Sequence, residues 1–153
     1  MASVFWDRKG ILLVDFMPPS AKVTATEYCD SLTQLRRAIP NKWRGMFSRG
    51  MCLLHDNARP HSAHGTAALL EKFKWDILDH PPYSPDVAPS DFHMFLRQKK
   101  HPARKKFDDD DEMQEEVMTW FRWQAADFYD SGIQKLVPRL NKCLDNGGDC
   151  VEK

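Results

Sequence analysis

Residues 51–61 read "MCLLHDNARPH". Four apolar residues, Met51 to Leu54, run into His55 and then meet a turn-forming "NARP". A short apolar run closed by such a sequence reads as a buried strand from Met51 to His55. Asp56 therefore stands where the strand stops, and its carboxylate can project past the sheet edge. A second aspartate follows with 34 residues in between, in "YSPDVAPSDF" at residues 83–92. Pro81, Pro82, Pro85 and Pro89 make residues 81–90 a loop. Ser90 is the expected N-cap of the next helix, with Asp91 in its first turn. Two carboxylates on fixed backbone suit Mg²⁺, a hard cation that takes oxygen ligands and keeps several waters. A pair of such metals supports phosphodiester cleavage. The same residues have a purely structural use: Asp56 caps the "NARP" turn, and Asp91 occupies a helix start. On residue type and position alone both uses stay open.

Outward from this stretch the order of elements sets the fold class. "VFWDRKGILLVDFM" holds two β-rich runs around the turn Asp7–Gly10 and predicts a hairpin. Thr24 with Glu27 forms a capping box that opens a helix through about Ile39, where Pro40 is expected to stop it. Tyr28, Leu32, Leu35 and Ile39 share one face of that helix at 3.6 spacing. After Asp56 a helix is expected over roughly Ser62–Phe73, buried through Ala63, Ala67 and Leu70. "WDILDH" reads as a strand. A helix carrying Phe92, Phe95 and Leu96 runs toward Pro102. Another is striped by Met113, Val117, Trp120 and Phe121. The last starts at Pro138 and ends near Asn146. Two strands, helix, strand, helix, strand and then helices make an α/β domain.

Bulk composition narrows the function. The chain has 153 residues with 22 basic and 22 acidic side chains, so net charge is zero and a uniformly basic nucleic-acid coat is excluded. Length predicts one domain with a real core. No apolar stretch is long enough to span a bilayer, and "MASVFWDRKG" shows no secretory signal, so an intracellular protein is expected. Cys29, Cys52, Cys143 and Cys150 lack the spacing of a zinc or disulfide framework and read as ordinary thiols. Local charge is uneven. Arg97, Lys99, Lys100, Arg104, Lys105 and Lys106 form a cationic run, followed at once by the acids Asp108 to Glu112. The run reads equally as a phosphate-contacting patch and as a solvated face neutralised by its neighbours. His55, His61 and His64 around Asp56 are read as hydrogen-bonding partners of the turn rather than as a zinc site. Trp43, Trp75, Trp120 and Trp123 are read as core or interface residues.

Four longer motifs point to a family. "LLHDNARPHSA" followed by "HPPYSPDVAPSDFHMF", with "FWDRKGILLVDFMPP" before them and "DFYDSGIQKLVPRLNKCLDNGG" after, closely resembles the catalytic domain of mariner-family transposases. It also resembles the transposase half of SETMAR-type fusions, which join a mariner domain to a histone methyltransferase. The resemblance runs from about Val4 to Gly148.

It implies an α/β, ribonuclease-H-like fold in which three aspartates hold two divalent metals, Mg²⁺ or Mn²⁺, that cut and join DNA. Asp56 matches the second aspartate of the family and Asp91 the third, so both are carried over as catalytic and metal-ligating residues. The first belongs to a strand that precedes this segment in the family, and nothing before Val4 matches it. Asp7 and Asp15 are not expected to replace it. The resemblance thus implies a single, partial catalytic domain over residues 1–153, lacking the first central strand and the N-terminal helix-turn-helix region, and impaired as a nuclease. DNA is the implied partner and the nucleus the implied location, with association of copies through open sheet edges. The alternative is a non-enzymatic module retained for DNA or protein contacts.

Overall fold

The computed structural model describes residues 1–45, 50–101 and 106–147. Strands β1 (Ala2–Asp7) and β2 (Gly10–Phe16) pair as the expected hairpin. Its tight turn is set by Asp7, whose Oδ1 accepts the N–H groups of Lys9 at 2.8 Å and Gly10 at 3.1 Å. Gly10 takes φ +148°, a conformation that side-chain-bearing residues avoid. The chain then forms two compact units, Met1–Phe5 with Leu12–Tyr83 and Trp6–Ile11 with Ser84–Lys153.

In the first unit, helix α1 spans Ala25–Lys42. The Thr24 hydroxyl accepts the Glu27 N–H, and the Glu27 carboxylate accepts the Thr24 N–H at 2.8 Å. Such a reciprocal cap is worth about 1 kcal/mol. Pro40 does not stop the helix. It lies in the last turn, where it costs one intrahelical donor, and the Trp43 N–H closes the end on the Ile39 carbonyl at 2.8 Å. The face of Tyr28, Leu32, Leu35 and Ile39 is buried as its spacing predicts, and it joins Leu12, Leu70 and Trp75 in one core.

Strand β3 (Cys52–Leu54) pairs in parallel with β4 (Asp76–Leu78), Leu53 opposite Ile77. The connection holds two helices rather than one: α2 (Arg59–Ser62) and α3 (His64–Phe73). Thr66 and Leu70 face the core, whereas Ala67 is exposed, so the buried stripe is turned from the expected one. Thr66 is tolerated there because its hydroxyl donates to the Pro60 carbonyl. Lys74 ends α3 in the left-handed conformation. Among the described residues the strands form two sheets of two strands each, so the sheet is partial.

The second unit is helical apart from the hairpin's turn end. A 3₁₀ turn at Pro85–Val87 leads into a wide π-type helix at Ser90–Phe95, continued by α4 (Leu96–Gln98). Ser90 does not cap it. Pro89 precedes the helix, and the Ser90 Oγ instead accepts the Trp6 indole N–H at 2.9 Å. Helices α5 (Asp110–Trp123), α6 (Ala126–Gln134) and α7 (Leu136–Asp145) complete the unit. The α5 stripe is seated through Trp120 and Phe121, and Tyr129 of α6 donates from its hydroxyl to the Phe121 carbonyl. α7 starts two residues before Pro138, which occupies the first turn, where the missing N–H has no intrahelical partner to lose.

Candidate active site

Parallel pairing brings the carboxyl ends of β3 and β4 to one sheet edge, and the motif around Asp56 folds there. Asp56 Oδ1 accepts the Ala58 N–H at 3.0 Å, which closes the turn out of the strand. Pro60 then opens α2, and His61 comes back over the aspartate with its Nδ1 2.6 Å from Oδ1. Asn57 fastens the adjoining loop by donating to the His80 carbonyl at 2.7 Å. The turn-capping use of Asp56 is thus real, but it occupies one carboxylate oxygen. Among the described residues Oδ2 takes no hydrogen bond, and the side chain is 59% exposed.

Electrostatics keep that carboxylate charged. Partial burial pushes the Asp56 carboxyl up, but the Ala58 N–H, the His61 ring and His80 together outweigh it and hold the group below its ordinary value. An ionised carboxylate only accepts hydrogen bonds, so His61 donates from Nδ1. Three rings pack behind the contact. His55 and His61 lie parallel, 3° apart in plane with centroids 5.0 Å apart, and Tyr28 lies 4.1 Å from His61. The Tyr28 hydroxyl meets His55 Nδ1 at 2.8 Å. Burial, reinforced by His61, pushes the His55 imidazole down to about 4, against the opposing pull of Asp56. His55 is therefore neutral near pH 7. Burial, followed by the Asp56 charge, pushes the Tyr28 phenol up. Among the described residues no three or more His, Cys, Asp or Glu side chains are grouped to hold a metal ion.

In the second unit, Asp91 is exposed on the π-type helix, one residue from the Ser90–Trp6 bond. Its N–H and that of Phe92 both point to the Ala88 carbonyl, at 2.9 and 3.0 Å. Buried His93 anchors the same turn through Nε2, which donates to the Phe128 carbonyl at 2.7 Å. Asp91 thus stands on backbone held from two sides. The two substitutes weighed in the sequence are engaged elsewhere. Asp7 makes the hairpin turn, and Asp15 accepts the Ser31 hydroxyl at 2.5 Å.

The cationic run divides. The Arg97 guanidinium lies 5.7 Å from the Phe128 ring centre. Lys99 and Lys100 sit exposed in the turn after α4 rather than along a helix face, and Lys106 is also exposed. Arg104 and Lys105 lie outside the described residues, as do Pro102 and Cys150. Tyr28 is the site residue that pattern reading assigned only to the core. Its hydroxyl was the available signal, since a buried phenol usually needs a partner.

Comparison with known proteins converges on one family. A family profile described as "Transposase (partial DDE domain)" matches residues 1–49. The Mariner Mos1 transposase of Drosophila mauritiana is 33% identical over 154 residues, covering 99% of this chain and 45% of the relative. The Histone-lysine N-methyltransferase SETMAR of Homo sapiens is 31% identical over 149 residues, covering 97% of this chain and 22% of the relative. The chain thus spans less than half the length of these curated relatives. A solved structure of the Mos1 transposase catalytic domain with Raltegravir and Mg superposes with a TM-score of 0.91 at 34% identity, over 97% of this chain and 75% of that one. A Mos1 paired-end complex with the left transposon end matches with a TM-score of 0.88 at 34% identity, over 97% of this chain and 44% of that one. These 153 residues have the ribonuclease-H-like fold, and the chain belongs to the mariner transposases as part of their catalytic domain.

Proposed function

We propose that Asp56 and Asp91 are metal-ligating, catalytic carboxylates of a domain that cuts and joins DNA strands with Mg²⁺ or Mn²⁺. The observation that carries this reading is the state of Asp56. It is ionised, fixed at a strand end, and bonded through Oδ1, while among the described residues Oδ2 takes no hydrogen bond and the side chain is 59% exposed. The donor set fits a hard divalent cation, which takes carboxylate oxygens and completes its shell with water. Bound there, such a cation would activate a water and stabilise the leaving oxygen of a phosphodiester. The protein's part is to hold the carboxylates still. The Ala58 N–H and His61 do so for Asp56, and the His93 and Ser90 anchors do so for the turn carrying Asp91.

Both compact units belong, in this reading, to one partial catalytic domain. DNA is the substrate, met through phosphate contacts by the cationic run of residues 97–106, and the nucleus is the place of action. Mos1 structures solved with Mg and with a transposon end support the metal and the partner. The segment by itself supplies two of the family's three aspartates, so on its own it is expected to be impaired as a nuclease.

The experiment is a melting titration with Mn²⁺. A ligand that binds only the folded state raises its stability, so Mn²⁺ should raise the melting temperature modestly. Asp56→Ala and Asp91→Ala should each abolish the rise. An unchanged Mn²⁺ response in both variants would refute the assignment.

A further inference from the structure

We propose that His61 is a positioning residue for Asp56, whose Nδ1–H fixes the carboxylate so that Oδ2 is the oxygen offered to the metal. This rests on the reading of Asp56 as a ligand and adds the device that orients it. An exposed aspartate normally samples several rotamers. Asp56 has instead two donors on one oxygen, Ala58 N–H at 3.0 Å and His61 Nδ1–H at 2.6 Å. The His61 donor also lies 3.3 Å from the Asp56 backbone carbonyl, so the ring tracks the backbone as well as the carboxylate.

The ring itself has little freedom. Tyr28, 3% exposed in α1, lies against it at 4.1 Å, and the parallel His55 ring lies at 5.0 Å. Pro60, which fixes φ at the start of α2, sets the angle at which His61 returns. The five-residue step from Asp56 to His61 is therefore a closed device: turn, rigid helix start, stacked ring and donor. Partners that orient metal ligands in this way typically change metal affinity by about 10- to 100-fold when removed.

The rival is a staple that merely joins β3 to α2. Two substitutions separate them. His61→Phe keeps a stacked ring without the donor, and His61→Asn keeps a donor near the Nδ1 position without the ring. Mn²⁺ affinity of the 153-residue chain is read from the electron paramagnetic resonance signal of free Mn²⁺, alongside melting without metal. The expected result is an affinity loss of about tenfold or more in His61→Phe, and near-wild-type affinity in His61→Asn. Unchanged affinity in His61→Phe, with only a lower metal-free melting temperature, would establish the staple and overturn the proposal.

A metal-free readout covers the case in which His61→Phe does not fold. Nitrogen-15 spectra of the wild type should show His61 protonated at Nδ1, and Asp56→Ala should remove that preference. A wild-type His61 carrying its proton on Nε2 alone would overturn the proposal. If the wild type bound no Mn²⁺ while His61 kept the Nδ1 proton, the ligand reading would fail and this role would fail with it. Metal binding indifferent to the donor defeats this role alone.

Discussion

A buried polar atom is tolerated when it finds a partner, and Tyr129 shows the rule at the scale of one residue. Its hydroxyl donates to the Phe121 carbonyl at 2.8 Å while the side chain is 2% exposed. Burial pushes its phenol up to about 12, against an ordinary value of 10.0. The folded state thus prefers the neutral form. Its contribution is complete below about pH 10 and is lost as pH rises toward 12. Melting at pH 9 and pH 11 should show a steeper alkaline loss in the wild type than in Tyr129→Phe. At neutral pH that variant should be less stable by about 1 kcal/mol, the usual worth of one hydrogen bond. Equal alkaline slopes would count against the burial argument.

Elements meet through a few positions whose size is fixed, and α6 depends on Gly132. A Cβ there would come within 2.6 Å of His93 Cδ2 and 3.1 Å of Trp6 Cη2. Gly132→Ala should therefore cost about 1–3 kcal/mol by overpacking and should loosen the turn bearing Asp91, as read from melting and from faster amide exchange at residues 91–94. This contact also explains what the sequence concealed. The capping box at Thr24, the α1 core face and the hairpin turn are local patterns, and each was legible. Helix α6 was not, because it seats through Gly132 against His93 and Trp6, residues far apart in the chain. The π-type winding at Ser90–Phe95, which buries His93 and Met94, was likewise not legible in the local pattern. The position of Asp56 at a strand end was readable, but the donor on its Oδ1 needed the fold of α2. For the cationic run, replacing Lys99, Lys100, Lys105 and Lys106 with Ala should weaken binding to every duplex alike and flatten its salt dependence. A fluorescence anisotropy series over salt checks this, and retained affinity would reject the patch.

At the scale of the whole molecule, the strands of the described residues form two sheets of two strands each. Among the described residues no strand joins the hairpin to β3. Unpaired backbone groups cost about 1–3 kcal/mol each when buried, against a typical domain stability of about 5–15 kcal/mol. The isolated segment should be marginally stable and should associate as its concentration rises, through its open edges, which sedimentation will show. Fusing a family-like strand that carries its aspartate before Val4 should raise stability and complete the carboxylate set. The decisive measurement is plasmid nicking in Mn²⁺ by the extended chain, with Asp56→Ala and Asp91→Ala in the same background. Metal-dependent nicking that either substitution abolishes is the predicted result. Nicking that survives in both variants would contradict the assignment of these two carboxylates.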